Sequence, residues 1–129
     1  MKALVYTGTN ASEIRDVAAP VAADGQSVID LSFCGICGSD MHAWHGHDER
    51  RIPPLVLGHE AVGTALTGPL AGKRVAINPL MSCNDCDFCD SGNHHLCTSR
   101  ELIGMRHPGA FAEQGMVPDA YLTVLADHL

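Results

Sequence analysis

The sequence has no apolar run approaching the length of about 20 residues that a membrane-spanning helix needs. Its N-terminus offers only the short apolar run from Ala3 to Tyr6, which cannot form the core of a secretory signal. Aromatic residues make up only 5% of the chain, and a net charge of −7 leaves no basic excess for binding phosphates. These absences predict a cytoplasmic protein that interacts with neither membranes nor nucleic acids.

The 129 residues also lack a G-x-G-x-x-G motif, which predicts that they hold no dinucleotide-binding unit of their own. Instead, short runs rich in β-forming residues alternate with glycine and proline, a pattern typical of an all-β barrel or sandwich. A short helix is expected over Met41–Trp44, with Ser39 or Asp40 as its N-cap. The expected strands are Lys2–Tyr6, Ser27–Cys34, Arg74–Ile77 and Ala120–Leu125.

Four of the six cysteines lie in the run CNDCDFCDSGNHHLC, with C-x2-C-x2-C-x7-C spacing. In a reducing compartment, clustered thiols bind metal more often than they form disulfides. Four thiolates can surround one tetrahedral zinc ion and leave no position open, so the predicted site is structural. His94 and His95 lie inside this loop and could compete as ligands, although the thiols already complete the set. The predicted ligands are Cys83, Cys86, Cys89 and Cys97.

Two further motifs carry metal-binding side chains: GICGSDMH at residues 35–42 and GHEAVG at residues 58–63. Each is weak alone, since a single Cys37 is usually a small buried apolar residue and a single His59 is usually a hydrogen-bonded surface or core histidine. Together they supply a thiolate, an imidazole and the carboxylates of Asp40 and Glu60. Such a set suits a catalytic zinc, which keeps one position open for water or substrate. Asp40 is then the candidate to orient the His59 ring through its second nitrogen.

Two alternatives for the cysteines remain open. Cys34 and Cys37 form a C-x-x-C pair, which is the redox couple of thiol oxidoreductases. That motif normally begins a helix in a βαβ unit, whereas a β-prone run precedes it here, which favours Cys34 as a buried strand residue. The other alternative is a zinc-ribbon nucleic-acid binder, which the acidic charge and the few aromatic residues oppose.

The three motifs, in this order, resemble the zinc-dependent medium-chain dehydrogenase/reductase family, which includes alcohol, polyol and threonine dehydrogenases. GICGSDMH is similar to the family's first zinc-ligand motif, GHEAVG to its G-H-E-x-x-G, and the four-cysteine run to its structural zinc loop. The tail GAFAEQGMVPDAYLTVLADHL is similar to the segment that closes the family's catalytic domain. The resemblance spans residues 1–129. It implies a mainly β, GroES-like, partly open barrel with a few short helices and a zinc-bound lobe at about residues 81–99.

The resemblance implies roles for individual residues of this chain. Cys37 and His59 would bind the catalytic zinc, and Glu60 would be an acid that can enter or leave its coordination shell. Ser39 would take the alcohol proton and His42 would pass it to solvent, with Asp40 supporting His59. Without the resemblance, Ser39 reads as a helix cap and His42 as a surface ring. Three more residues would lie near the substrate mouth: Trp44, His45 and His47.

The implied activity is the oxidation of a primary or secondary alcohol, such as a small polyol, to a carbonyl with NAD or NADP. Zinc would act as a Lewis acid that lowers the pKa of the bound alcohol. Two zinc ions per chain are expected, one catalytic and one structural. The family also implies a homo-oligomer or pairing with a nucleotide-binding domain.

The sequence departs from the family by ending at Leu129, about where the nucleotide-binding Rossmann domain should begin. The expectation is therefore a truncated or fragment chain that lacks the nicotinamide site and is not active alone. The alternative is a non-enzymatic zinc-binding orphan domain that pairs with a partner chain. An exposed apolar face would be the sign of that second use.

Overall fold

Ten β-strands and two short α-helices form the part of the chain that the computed structural model describes, residues 1–126 and 128. In chain order the strands are β1 (Lys2–Gly8), β2 (Ala11–Asp16), β3 (Gln26–Gly35), β4 (Leu55–Val56), β5 (Glu60–Ala65), β6 (Arg74–Ile77), β7 (Leu80–Met81), β8 (Glu101–Leu102), β9 (Gln114–Pro118) and β10 (Leu122–Val124). The helices are α1 (Gly38–Trp44) and α2 (Asp87–Asp90), and 3-10 turns cover His94–Leu96 and Asp119–Tyr121. Across these residues, no helix is long and apolar enough to cross a membrane.

Two antiparallel sheets curl toward each other as a partly open barrel. One has the strand order β10-β6-β5-β3-β9 and the other the order β2-β1-β4. The segment 111–113 joins them, because the Leu4 N–H donates to the Phe111 carbonyl (2.7 Å) and the Leu31 N–H to the Glu113 carbonyl (2.9 Å). β7 and β8 form a separate ladder at the base of the cysteine-rich segment. The predicted mainly β, partly open barrel with a few short helices is thus confirmed.

The barrel interior is built from the inward-facing residues of β3, β5, β6 and β9. Burial of one valine or isoleucine side chain stabilises the fold by about 1.5–3 kcal/mol, so this cluster is the main source of stability. β5 carries small residues inward, and a Cβ at Gly63 would collide with the Asp30 carbonyl of β3. The close approach of β3 and β5 therefore depends on glycine at this position. The buried cluster comprises Ile29, Ala61, Ala65, Val75, Ile77, Ile103, Ala110 and Val117.

Helix α1 rests on a second, smaller apolar cluster. Its Ala43 packs with Tyr6 and Leu57, which fixes the helix against the barrel. The expected N-cap at Ser39 or Asp40 is wrong, because the helix begins earlier and its N-cap is Cys37. Asp40 instead lies in the first turn and reaches back, where its Oδ2 accepts the Cys37 N–H at 3.0 Å. A carboxylate three residues after the N-cap satisfies a donor that the helix leaves open.

The expected strands are found, with adjusted ends. Arg74–Ile77 is correct, β1 and β3 are slightly longer than expected, and Ala120–Leu125 is a 3-10 turn followed by the shorter β10. The remaining strands were not expected from the sequence. β2 is exposed along its whole length and so shows no buried alternation, while β4, β7 and β8 are only two residues long. Such segments become strands because neighbouring strands pair with them, and their own sequences show no strand pattern.

The cysteine-rich lobe stands apart from the barrel interior. Between Ser82 and Arg100 the buried residues are Cys89 and Cys97, and both Phe88 and Leu96 are exposed. α2 and the turn at His94–Leu96 are the helical segments of this lobe. Its centre is therefore formed by sulfur atoms rather than by apolar side chains.

Candidate metal centres

The four sulfur atoms of the lobe lie within 4.8 Å of one another. The Sγ–Sγ separations are 3.5 Å for Cys86–Cys89, 3.5 Å for Cys83–Cys97 and 4.0 Å for Cys83–Cys89. Sulfurs at tetrahedral positions about 2.3 Å from a zinc ion are about 3.8 Å apart. A disulfide requires about 2.05 Å, and all four thiols are free. The donor set therefore fits a tetrahedral metal ion and not a pair of disulfides.

The backbone of the lobe favours the thiolate form of Cys97. The Cys83 N–H donates to the Cys97 sulfur (3.5 Å) and, against the opposing effect of burial, lowers the pKa of Cys97 to about 7. The thiolate is the form that binds metals. Tyr121 connects the lobe to the barrel, because its hydroxyl accepts the Ser82 N–H (2.9 Å) and donates to the Ser82 carbonyl (3.2 Å).

The second cluster brings together Cys37, His59 and Glu60, whose ligand atoms also lie within 4.8 Å of one another. The pairing of β3 with β5 creates this proximity, because Gly35 is paired with Glu60 and Cys37 follows two residues later. Gly58 precedes the histidine with a φ of +91°, and a Cβ there would lie 3.0 Å from the Cys34 sulfur. Glycine is therefore needed to turn the chain toward the site.

Asp40, which is only 2% exposed, lies next to this cluster and contacts His59. Its Oδ1 lies 3.4 Å from His59 Nδ1 and accepts the Gly58 N–H at 3.3 Å. His59 Nδ1 is buried and, among the described residues, has no well-aligned hydrogen bond, so Asp40 is the carboxylate placed to accept one from its N–H. That arrangement fits the predicted support of His59 and leaves Nε2 as the nitrogen for a metal.

A cleft of about 500 Å³ opens onto the second cluster. His59 and Glu60 form part of its wall together with Phe33 and Val62. A larger cavity of about 750 Å³ lies on another side, between residues of β1, β4 and β9, and none of the candidate ligands lines it. Two of the three candidate ligands, His59 and Glu60, thus face the smaller cleft, which is the candidate substrate site.

A buried arginine holds Ser39, and the sequence analysis did not identify it. Arg51 is 3% exposed, and its guanidinium donates to the Ser39 carbonyl (3.0 Å), the Gly104 carbonyl (2.9 Å) and Asp48 Oδ2 (2.9 Å). Its Nη2 also lies 3.4 Å from the Ser39 hydroxyl. In the run Asp48–Arg51, nothing local distinguishes this arginine from the exposed Arg50, because its burial depends on α1 packing over it.

The expected relay residue His42 and the expected mouth residues Trp44, His45 and His47 lie at or just beyond the C-terminal end of α1. His42 is exposed, and its ring centroid is 5.1 Å from that of His47. Trp44 contacts His45 with ring centroids 5.0 Å apart, so the three histidines and the tryptophan lie side by side. Among the described residues, Ser39 and His42 share no hydrogen bond, and their expected relay remains a prediction.

Cys34 does not behave as half of a redox pair. Burial raises the pKa of its thiol to about 11, and its sulfur lies 3.6 Å from the Gly35 carbonyl. A redox-active cysteine needs an accessible thiolate, so this environment opposes the thiol oxidoreductase alternative.

A family model for the alcohol dehydrogenase GroES-like domain matches residues 23–127. The four-sulfur set, the Cys37–His59–Glu60 set and the partly open barrel together define a β-barrel domain with two candidate metal sites. The chain belongs to the alcohol dehydrogenase GroES-like domain family.

Individual relatives agree with this membership. The chain is 34% identical to the L-threonine 3-dehydrogenase of Saccharopolyspora erythraea, over 100% of this chain and 40% of the relative. It is 35% identical to the sorbitol dehydrogenase of Halalkalibacterium halodurans, over 88% of this chain and 35% of the relative. The crystal structure of the short chain alcohol dehydrogenase RspB from Escherichia coli CFT073, complexed with NADH, superposes with a TM-score of 0.92 at 30% identity, covering 99% of this chain and 39% of that one. The chain thus spans well under half the length of these relatives.

Proposed function

We propose that this chain forms the alcohol-binding, zinc-containing part of an NAD- or NADP-dependent alcohol or polyol dehydrogenase. The observation that carries the proposal is the Cys37–His59–Glu60 cluster, two members of which, His59 and Glu60, line a cleft in a domain of the alcohol dehydrogenase GroES-like family. Relatives named for threonine and sorbitol support a small alcohol or polyol as substrate. The NADH complex of RspB supports a nicotinamide as hydride acceptor.

The cluster would hold the catalytic zinc through one sulfur, one nitrogen and one carboxylate oxygen. This set of three protein ligands leaves a position for the substrate oxygen. A zinc ion bound there would supply Lewis acidity and make the alcohol hydroxyl more acidic. Asp40 keeps the His59 ring oriented by facing its Nδ1, and this contact is the role we propose for that residue.

In this proposal the alcohol proton leaves along α1. The Ser39 hydroxyl accepts it, and His42 releases it to solvent from the exposed side of the helix. Residues three apart lie on the same side of a helix, which places both groups on one path. Arg51 holds the Ser39 backbone, so the hydroxyl is presented from a fixed position.

The four lobe cysteines would hold the second, structural zinc, giving two zinc ions per chain. We propose that the nicotinamide site is not within these 129 residues and that the isolated chain is inactive with NAD or NADP. We further place the protein in the cytoplasm, as a homo-oligomer or paired with a nucleotide-binding domain, with no nucleic-acid or membrane partner. Steady alcohol oxidation by the purified chain would contradict the proposal of inactivity.

Metal counting tests the two sites separately. The chain, purified with zinc and cleared of free metal, is expected to contain two zinc ions by mass spectrometric metal analysis. Cys37→Ser should contain one, whereas Cys34→Ser, a neighbouring cysteine outside both clusters, should keep two. One zinc in the unchanged chain, or loss of zinc from the Cys34 variant, would count against the assignment.

Cobalt can report on substrate binding without any nucleotide. With cobalt at the Cys37 site, addition of sorbitol, threonine or 2-propanol is expected to shift the visible absorption bands of the metal if the alcohol oxygen enters its coordination shell. The same additions to the Cys37→Ser chain, which retains cobalt only in the lobe, should produce no shift. If none of the alcohols changes the spectrum of the unchanged chain, the enzymatic proposal fails.

A non-enzymatic zinc domain that binds a partner chain is the second candidate function. The observation that favours it is that Phe33 and Ile36 are 76% and 72% exposed beside the second cluster. Large exposed apolar side chains of this kind often mark a protein interface. The cobalt experiment separates the two functions, because a purely structural site does not admit an alcohol.

A further inference from the structure

The C-terminal end of α1 brings three histidines together through its backbone. Gly46 has a φ of +77° and donates its N–H to the Ala43 carbonyl (2.8 Å), while the His47 N–H donates to the His42 carbonyl (3.0 Å). This pair of hydrogen bonds is the Schellman motif, which commonly ends helices at a glycine. The motif turns the chain back on itself, so His47 lies against the last turn of the helix.

The Schellman motif normally places two apolar side chains in contact at these positions. Here the two side chains are imidazoles, with ring centroids 5.1 Å apart. His45, which lies between them in sequence, has its ring centroid 6.0 Å from that of His47. All three rings are exposed, so this histidine cluster is open to ions from solvent.

The His42–His47 ring spacing of 5.1 Å matches what one shared metal ion requires, and the His45 ring, 6.0 Å from that of His47, must move closer. Two imidazoles bound at about 2.0–2.1 Å in a tetrahedral arrangement have centroids about 5 Å apart. The His42 and His47 rings now meet edge to face and the His45 ring is tilted against that of His47, and exposed side chains can turn their nitrogens toward a shared ion by rotating about their own bonds. The last carbonyls of α1 also favour a positive charge at this end.

His45 already has the second contact that metal-binding histidines commonly make. Its Nδ1 lies 2.8 Å from the Asn10 side-chain oxygen. An amide oxygen accepts a proton, so this contact fixes the hydrogen on Nδ1 and leaves the Nε2 lone pair for a metal. Asn10 itself is fixed, because its backbone N–H donates to the Trp44 carbonyl (2.7 Å).

We propose that His42, His45 and His47 form a third metal site, which takes a divalent transition-metal ion such as nickel, copper or excess zinc. Imidazole ligands suit these ions, whereas the two cysteine-containing clusters are selective for zinc-like thiolate binding. The site would also be inhibitory, a consequence that rests on the proposed function. An ion held by His42 occupies the nitrogen that the proposed proton exit requires.

Nickel titration tests the site directly. The chain is first filled with zinc at both cysteine-containing clusters, and Ni²⁺ is then added while heat is recorded by isothermal titration calorimetry. We expect one further ion to bind, and His45→Gln and His47→Gln to weaken its binding at least tenfold. His128→Gln, which removes an exposed histidine outside the cluster, should leave nickel binding unchanged.

The proposal is overturned if the unchanged chain binds nickel no more tightly than the His47 variant, or if the His128 variant is weakened equally. Metal analysis after the titration should still find two zinc ions per chain, and displacement of zinc by nickel would assign the heat to cysteine and contradict the site. Nuclear magnetic resonance gives an independent measure, because paramagnetic nickel should broaden the ring signals of the three histidines but not those of His128. Neither experiment uses an alcohol or nucleotide, so a failure here leaves the cobalt test of the proposed function unaffected.

Discussion

The two candidate metal clusters differ in what surrounds them. The lobe cysteines come from one stretch of chain, Cys83 to Cys97, in which no apolar side chain is buried apart from the cysteines themselves. Cys37, His59 and Glu60 come from separate elements that β3–β5 pairing brings together beside the barrel interior. The first cluster has ligands that are close in sequence and little packing, and the second has distant ligands and extensive packing.

This difference predicts which region needs metal in order to fold. A metal bound in the lobe would supply the cohesion that an apolar interior supplies elsewhere, so binding and folding of the lobe would be one event. In the barrel, packing and hydrogen bonds assemble the ligands before any ion arrives. Removal of metal should therefore unfold one region and leave the other in place.

The largest expected effect is metal loss from the lobe. Structural zinc contributes apparent free energies of about 10–16 kcal/mol in small zinc-folded peptides, so Cys97→Ser or a strong chelator should unfold residues 82–100. Hydrogen exchange measured by mass spectrometry should show loss of amide protection in these residues but not in β3 or β5. Full amide protection of the lobe in the presence of chelator would show that the lobe does not depend on metal for its fold.

The next effect concerns the barrel site and should not depend on metal. Arg51→Lys keeps the charge but loses the planar fork, leaving buried carbonyls such as that of Gly104 without a donor. We expect a loss of about 2–4 kcal/mol in the free energy of unfolding, measured with urea, with or without zinc. The exposed Arg50, which binds the same Asp48, is the matched control. Arg50→Lys should change stability by less than about 0.5 kcal/mol, and an equal loss in both variants would show that burial is not the cause.

Asp40→Asn tests whether the barrel site and the lobe bind metal independently. The amide keeps the shape of the side chain but has one oxygen and no charge, so it cannot accept from both the Cys37 N–H and His59 Nδ1, and metal affinity at the barrel site should fall about 10–100-fold. Lobe affinity should stay the same. Competition with a chromogenic chelator measures both, and Asp90→Asn on the exposed face of α2 serves as control. Equal weakening of both sites by Asp40→Asn would mean that the two are not independent.

The smallest effect lies where the two regions meet. Tyr121→Phe removes the hydroxyl that bonds the backbone of Ser82 on both sides, which should reduce stability by about 1 kcal/mol. Faster amide exchange should be confined to the lobe and its base. If exchange rises through β3 and β5 instead, then the lobe stabilises the barrel more than the packing suggests.

The fold class and the grouping of both sets of candidate ligands were predictable from the sequence. The spacing of the lobe cysteines is visible within one short segment, and the motifs around Cys37 and His59 are each recognisable from six to eight consecutive residues. Residue roles in catalysis remain predictions, because side-chain proximity does not report on chemistry.

Other features were not predictable, since they depend on contacts between distant segments. Arg51 sits in a charged run that is typical of a solvated surface, and contacts with α1 at Ser39 and with the distant Gly104 enclose it. The start of α1 at Cys37 was missed because Asp40 caps from inside the helix. The meeting of His42 with His47 depends on the left-handed Gly46, which a sequence pattern alone does not fix.

The ladder of β7 and β8 has a consequence for how this domain can change. The chain leaves the barrel at Leu80 and returns at Leu102, and these two residues are paired directly, as are Met81 and Glu101. A two-residue turn could close such a hairpin. The lobe is therefore an insertion between two strands that are already paired at its base. Lengthening, replacing or deleting it is then a local edit that leaves the barrel's strand order intact, and the domain can gain or lose a metal site without a new fold.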